Sequence, residues 1–425
     1  MSEIRFWGCA IITIVVFLAY ATGARAADKT TGAALQWYKG NTHTHSLWSD
    51  GNDFPEMIVD FYHKRGYHFL ALSDHNILSR GERWMSVDAV VKRAGSHDVL
   101  GKYLARFGIK WLDMRRVDGK HQIRLKTLEE IRPKFEAKGK FLLIEGEEIT
   151  DRFKRLPVHI NAINLQELIK PQGGKDVRDV MRRNLKAVQA QEKKTGKPIL
   201  DHLNHPNFGW GVSAEDLAHV LEERYFEIYN GHPGVRQLGD KDHPSMERLW
   251  DIANTIRISK LNAPPLYGVA TDDSHTYHGR KNVSPGRGWV MVQANELSAD
   301  ALINAMRRGR FYASSGVTLN SVKFDRKSGK LSIDIKPDGD AVFTTQFIGT
   351  LKDDKQVGTV LAEVKKNKAE YKLTGKELYV RAIVISSKAH PNPSYKDQMQ
   401  QAWVQPVGWM DPNDPETSKD SKDSK

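Results

Sequence analysis

Six times between residues 37 and 280 a short apolar or β-branched run ends in, or carries, metal-type side chains, and this recurrence constrains the fold more than any other feature. The first run leads into Gly40-Asn41-Thr42-His43-Thr44-His45-Ser46-Leu47-Trp48-Ser49-Asp50-Gly51. Later ones lead into Ser73-Asp74-His75-Asn76, Glu145-Gly146-Glu147-Glu148-Ile149-Thr150, His202-Leu203-Asn204-His205-Pro206 and Thr271-Asp272-Asp273-Ser274-His275, and one carries His159. If the first run is a strand, period-2 alternation puts His43 and His45 on one face while Asp50 arrives from the following turn. Two imidazoles and a carboxylate suit zinc, iron or manganese better than calcium. A lone pair of neighbouring histidines is usually polar surface; six such runs are explained together if their ends converge.

Convergence follows from the texture between them. Strand-like runs at 37–43, 68–73, 141–144, 158–163, 199–202, 225–229 and 266–271 alternate with amphipathic helical stretches at 55–65, 125–137, 177–194, 214–223 and 246–258. That alternation predicts an α/β chain with βα units around a parallel sheet, closed or nearly closed as a distorted (β/α)7 TIM-like barrel, whose strand C-termini meet on one face. The barrel spans 37–316. Residues 79–140 are too many for one connection and predict a helical insertion beside the mouth. After a helix at 301–308, alternating segments with Gly, Asp and Lys turns predict a C-terminal antiparallel β-sandwich over 317–410, and the polar residues 411–425 predict a disordered tail.

Fifteen of the sixteen histidines precede residue 280, which places the chemistry in the barrel. His205 lies further toward its strand end than His202 and is the better ligand. His68 begins its strand, at the wrong end, and His232 and His278 fit the rim. Ser46, Ser49 and Ser274 have no dedicated His-Asp partner and read as turn or cap residues. Arg287, in a Gly-rich turn near the seventh strand, is a candidate for bidentate pairing with an anionic substrate.

At 425 residues and 40% hydrophobic content the chain can bury a large core. Arg5, an apolar stretch from Trp7 to Tyr20 and Ala24-Arg25-Ala26 form a secretory leader over 1–26, too short in its apolar part to span a bilayer, which needs ~20 residues. The mature protein is therefore expected to be periplasmic or secreted, with no stable membrane span. Cys9, the only cysteine, leaves with the leader, so disulfides are excluded. The net charge of +12, which becomes +11 when the leader is lost, favours anionic substrates or an anionic cell envelope, but no basic run interleaved with aromatics indicates nucleic acid.

The ordered series HxHxxxSDG, SDH, GEEIT, His159, His205-Pro206 and DSH resembles the polymerase and histidinol phosphatase (PHP) family over about residues 37–280. Ser284-Pro285-Gly286-Arg287-Gly288-Trp289 and Gly309-Arg310-Phe311-Tyr312-Ala313-Ser314-Ser315-Gly316 are similar to its carbaryl-hydrolase-like branch with a C-terminal sandwich. The resemblance implies two to three divalent transition-metal ions (Zn, Mn or Fe). It makes His43 and His45 ligands of a first ion, with Glu148 bridging to a second that also uses Asp50 and His75. His159, His205 and His275 would hold a third, and Asp273 returns to the first. Some members have His where this chain has Asp50, which leaves the second site's metal preference open. The family's GxE spacing selects Glu148 over Glu147, with both placed just past the end of the apolar run 141–144.

Such a cluster is a hydrolytic device: the ions share a water as a bridging hydroxide and clamp ester oxygens. The expected protein is thus an exported phosphoesterase acting on a small anionic phosphate ester, with Glu148, Asp273 and Arg287 as its catalytic residues. A carbamate, ester or amide hydrolase and a non-catalytic metal-retaining envelope binding protein are the alternatives. The leader predicts cleavage after Ala26, so N-terminal sequencing of the protein recovered from its native host should begin at Ala27; intact Met1 in a cytoplasmic fraction contradicts it.

Overall fold

The apolar and β-branched runs form strands because alternate side chains can be buried against neighbouring strands and helices. A computed structural model describes residues 34–95, 98–278 and 282–409; the expected leader, 1–26, and tail, 411–425, lie outside the described residues. Seven strands build the site region: β1 (Gln36–Asn41), β2 (Phe69–Leu72), β3 (Leu142–Phe153), β4 (Leu156–Ile163), β5 (Leu200–Leu203), β6 (Tyr225–Asn230) and β7 (Tyr267–Thr271). They lie side by side in the order β7-β6-β5-β4-β3-β2-β1, within a mixed sheet of thirteen strands.

Two features correct the expected parallel barrel. First, β4 runs antiparallel to both β3 and β5, with Glu148 opposite Asn161 and Thr150 opposite His159. The cause is local: β3 continues well past residue 144, and a two-residue turn at Lys154-Arg155 folds it straight back, Phe153 opposite Leu156. Lys154 takes a positive φ of 55° there, without the Gly or Asn that marks such turns in a sequence. Secondly, among the described residues no ladder closes β7 onto β1. They meet only beyond their ends, where His45 N donates to Ser274 O and Asp273 N donates to His43 O, each at 3.0 Å. Lower down, the strand Trp289–Ala294 pairs antiparallel with β1 and occupies its free edge. The backbone of β7 is instead met by a side chain, the buried amide of Gln405, which donates to Gly268 O at 2.8 Å and accepts from Gly268 N at 2.9 Å.

The segments expected as a separate sandwich divide between two sheets. Leu319–Asp325, Lys330–Ile335 and Lys368–Lys372 form a three-stranded sheet, whereas Phe343–Leu351, Thr359–Val364, Glu377–Ala389 and Met399–Val407 continue the large sheet through Phe311–Ser314. Leu331, Ile333 and Ile335 share one apolar cluster with Phe347, Val380 and Ala382, so the two layers pack face to face. A buried ion pair joins this region to the helix Met246–Lys260: the Arg381 guanidinium donates to both Asp251 oxygens at 2.7 and 2.6 Å.

Helices cover the outer face of the seven strands. Val177–Thr195 starts where the Asp176 carboxylate caps Asp179 N and stops at Gly196, whose φ of 68° only glycine adopts freely. Its buried Val177, Val180, Met181, Leu185 and Val188 recur at three- and four-residue spacing; the first four pack in the cluster holding Val158, Ile160 and Phe226, and Val188 in that holding Ile149 and Ala162. Among the described residues no helix is long and apolar enough to cross a membrane.

The segment 79–140 is not purely helical, because Trp84–Ser86, Met114–Val117 and Lys120–Arg124 make an antiparallel sheet beside its helices. It docks on the helix Pro55–Lys64 through the fully buried Glu56, which accepts from the Tyr103 hydroxyl and from Trp111 Nε1. Burial pushes the Glu56 carboxyl up to about 7. Between its ordinary value of 4.5 and about 7 the unfolded chain ionises while the folded chain stays protonated, so stability falls as pH rises through that window. Glu56→Gln should remove that slope, leaving wild type up to ~3 kcal/mol less favoured at pH 7.5 than at pH 4 relative to the variant. Urea midpoints of the two proteins across this range measure it; parallel curves contradict the assignment.

Candidate metal centre

The strand ends deliver their side chains to one buried cluster. His43 and His45, just past β1, are fully buried, as is Glu148 on β3. Asp273, past β7, completes the inner set. His43 Nε2 lies 3.6 Å from Glu148 Oε2 and 3.3 Å from Asp273 Oδ1, and His45 Nε2 lies 3.4 and 3.2 Å from the same two oxygens. Donor separations of this size are the edges of a tetrahedron about 2.0–2.2 Å from centre to corner, the length of Zn–N and Zn–O bonds. His43 Nε2 and His45 Nε2 are buried without a hydrogen-bond partner, and the buried Glu148 Oε2 is otherwise met only by an ion pair with His75 Nδ1 at 2.7 Å. Orphaned lone pairs aimed at one point fit a first-row divalent ion.

Two further donor groups share these residues. His45, Asp50, His75 and His275 form one, and His75, Glu148 and His159 form another. Asp50 reaches His75 Nε2 at 3.5 Å and His275 Nε2 at 3.3 Å, and the His45 ring contacts those of His75 and His275 at 4.4 and 4.1 Å. On the other flank His159 Nδ1 lies 2.9 Å and His205 Nε2 3.5 Å from Glu148 Oε1. All nine expected ligands are therefore brought together, but their grouping differs from the one the resemblance implied. His275 sides with Asp50 and His75, because it follows β7 to the strand-end meeting with β1, whereas His159 and His205 approach from β4 and β5.

The second oxygen or nitrogen of each donor is held by the scaffold. Glu227, in the middle of the apolar run Tyr225-Phe226-Glu227-Ile228-Tyr229, receives His43 Nδ1 at 2.6 Å, Thr271 Oγ1 at 2.6 Å and the backbone N of His205 at 2.8 Å. With Nδ1–H donated to Glu227, the His43 Nε2 lone pair faces the cluster. His275 Nδ1 similarly donates to Asp273 O at 2.8 Å. Asn204 Nδ2 donates to Glu148 Oε1 at 2.9 Å. Glu227 and Asn204 were not singled out from sequence; an acid inside an otherwise apolar strand was the available signal for the first. His205 and Asp273 both adopt positive φ, 28° and 48°, strain the surrounding contacts hold in place.

Electrostatics agree with a cation-seeking cluster. Burial pushes His43 down, but Asp273, Glu227 and Glu148 outweigh it and hold the imidazole well above its ordinary value. His75, also opposed by burial, is raised to about 11 by Glu148 and Asp50. His45, buried and facing the charges of His275 and His75, is pushed down to about 3. Burial disfavours the charge of Glu148 and Asp273, yet the imidazoles around them hold both well below the usual carboxylate range. A divalent ion would take over this charge balance, displacing the proton that the surrounding carboxylates favour on His43 Nε2 and freeing its lone pair.

Other expected residues sit elsewhere. His202 is buried, but its Nε2 meets Thr42 Oγ1 at 3.0 Å and it joins none of the donor groups. Ser46 and Ser49 donate to Asp74, and Ser274 meets Tyr62 and Tyr277, as turn and scaffold residues do. Arg287 corrects the expectation of an anion clamp. It is almost fully buried, and its guanidinium donates to the carbonyls of Gly231, Asn282 and Asn392 and to Asn392 Oδ1. Its role is to tie the loop after β7 to the C-terminal strands.

No family model matches the chain, and the curated proteins include no match. Among solved structures the chain is similar to a two-domain protein containing a predicted PHP-like metal-dependent phosphoesterase from Bacteroides vulgatus ATCC 8482. That likeness covers 87% of this chain and 95% of the other at 17% identity, with a TM-score of 0.37. A candidate metal-dependent phosphoesterase from Bifidobacterium adolescentis ATCC 15703 is similar over 56% of this chain and 87% of its own, at 13% identity and a TM-score of 0.29. Similarity at this level assigns neither fold nor activity.

Glu147 and Glu148 separate cleanly, because successive residues of β3 face opposite sides. Glu147 Oε1 accepts from Ile169 N at 2.7 Å, away from the cluster, and burial pushes its carboxyl up to about 8, so it is neutral near pH 7. Glu148→Gln should lose metal while Glu147→Gln keeps it, and Glu227→Gln should weaken metal affinity by ~10- to 100-fold with the fold intact. Metal content after dialysis against a competing chelator checks all three; loss in Glu147→Gln with retention in Glu148→Gln reverses the register.

Proposed function

We propose that this chain is an exported metal-dependent phosphoesterase. The observation that carries the reading is the buried convergence of His43 and His45 on Glu148 and Asp273, with four imidazole-to-carboxylate separations of 3.6, 3.3, 3.4 and 3.2 Å and both His Nε2 atoms without a hydrogen-bond partner. Ions held there supply Lewis acidity toward a phosphoryl oxygen and toward the attacking water. The chain's own residues do the rest. Glu148 cannot rotate, because its Oε1 is held by His159 and Asn204 while its Oε2 faces both His43 and His45. Asp273 is anchored by Asn230 Nδ2 at 3.1 Å. These fixed carboxylates keep negative charge where a cation is wanted without reorganisation on binding.

Exposure rises across the cluster, from the enclosed His43 and Glu148 to Asp50, whose side chain is 55% exposed, and His75. Substrate therefore approaches over Asp50, His75 and His159. The serine hydroxyls near the site are committed to Asp74, Tyr62 and Tyr277, which leaves water as the nucleophile. Positive side chains on the β3–β4 hairpin beside His159 favour an anionic ester over a neutral carbamate. With this activity we associate the leader at 1–26 and hence a periplasmic or secreted location, a catalytic unit over 37–316 and a C-terminal β-rich unit over 317–410.

Chelation should abolish hydrolysis, and zinc, manganese or iron should restore it with two to three ions bound per chain. Elemental analysis paired with assays on phosphomonoesters, phosphodiesters and carboxylic esters tests this. Fewer than one ion per chain after reconstitution removes the metal reading, and turnover confined to carboxylic esters or carbamates removes the phosphate one.

A further inference from the structure

Beside His159 the surface opens into a cavity of about 640 Å³ lined by Arg152, Lys154, Arg155, Pro157 and Phe208. Register ties this cavity to the metal cluster. Glu148, Thr150 and Arg152 alternate along β3 and so share a face; Thr150 is opposite His159 and Arg152 opposite Pro157 on β4. One face of one hairpin thus carries the Glu148 carboxylate and His159 imidazole at its inner end and the Arg152 guanidinium at its outer end. Four residues of strand separate Glu148 from Arg152, roughly 13 Å of backbone.

The outer cations are available. Among the described residues no ion pair involves Arg152, Lys154 or Arg155, and all three are exposed. The one carboxylate in the cavity wall, Asp151, is already occupied: Oδ1 accepts from Arg152 N, and Oδ2 accepts from Gly173 N and Asn184 Nδ2. Phe208 and Pro157 offer an apolar wall between the cations and the cluster, and Phe208 itself lies against the His205 ring at 5.1 Å.

We infer, on the phosphoester reading above, that the hairpin is a second anion subsite, and that the preferred substrate is a small phosphate ester bearing a further phosphate-type group roughly 8–13 Å from the scissile one. Arg152 is the principal contact, being on the cluster's face; Arg155, in the hairpin turn and lining the same cavity, supports it. Both are specificity residues, remote from the reacting atoms.

The test is calorimetric titration of the full-length, metal-loaded protein with alkanephosphonates and with α,ω-alkanebisphosphonates of graded spacer length. A bisphosphonate of optimal length should bind at least ~10-fold more tightly than its monophosphonate, since a bidentate guanidinium contact gains about that much. In Arg152→Ala/Arg155→Ala, whose altered side chains are exposed, that advantage should vanish while monophosphonate affinity stays within about twofold. Equal affinity for the two ligand series in wild type, or an undiminished preference in the double variant, overturns the subsite and leaves the phosphoesterase reading standing. Binding of neither series by protein that retains its metal overturns both.

Discussion

Buried negative charge is the constraint around which this structure is arranged. Glu148, Glu227 and Asp273 lie within the protein where an isolated carboxylate would be strongly disfavoured. Each is tolerated because imidazoles and hydrogen-bond donors surround it: Glu227 receives His43, Thr271, Asn230 and the backbone of His205, and Glu148 receives His159 and Asn204. The arrangement leaves the His43 and His45 Nε2 atoms without a hydrogen-bond partner and Glu148 Oε2 with only imidazoles beside it, that of His75 the nearest. A donor set satisfied everywhere except toward one point is what a cation site requires, and the positive φ of His205 and Asp273 is backbone strain held at that same point.

The inverted β4 has consequences that a parallel barrel would not have. Since it runs against its neighbours, its beginning lies at the end of the sheet where β1, β2 and β7 finish, and this is why His159, only four residues into the strand, reaches Glu148. The same inversion makes β3 and β4 a long hairpin projecting beyond the cluster, so that one element carries ligands at its base and cations at its tip. The metal-type cluster and the cationic tip are thus joined by strand geometry instead of by a separate loop.

The C-terminal strands serve the site from a distance. Gln405 meets the backbone of β7, Asn392 receives the Arg287 guanidinium from the loop that follows β7, and Arg381 pairs with Asp251 on a covering helix. A buried pair of this kind contributes little net stability compared with an apolar replacement, but losing one partner costs ~3–5 kcal/mol, so it holds the two regions in a single register. These contacts brace β7, whose C-terminal extension supplies Asp273 and His275.

Much of the site was legible in the sequence because ligands cluster at strand ends, and local periodicity places a strand end without any knowledge of its neighbours. The stretches holding His43, His45, Asp50, His75, Glu148, His159, His205, Asp273 and His275 stood out that way, whereas the ligand set itself, Glu148 over Glu147 included, came from the family resemblance; alternation indicated only that Glu147 and Glu148 point to opposite sides. Grouping was not legible, because which imidazole faces which carboxylate depends on β4 reversing at Lys154-Arg155, a turn without its usual residues. Glu227 escaped notice for a related reason: its value lies in reaching across the sheet to His43, and nothing within Tyr225–Asn230 reports that contact. Arg287 failed in the opposite sense, since its local motif suited an anion clamp while three distant carbonyls and Asn392 had already taken its donors. Local sequence determines periodicity, turn chemistry and the supply of ionisable groups; long-range packing alone decides which of those groups are satisfied and which are left facing a site.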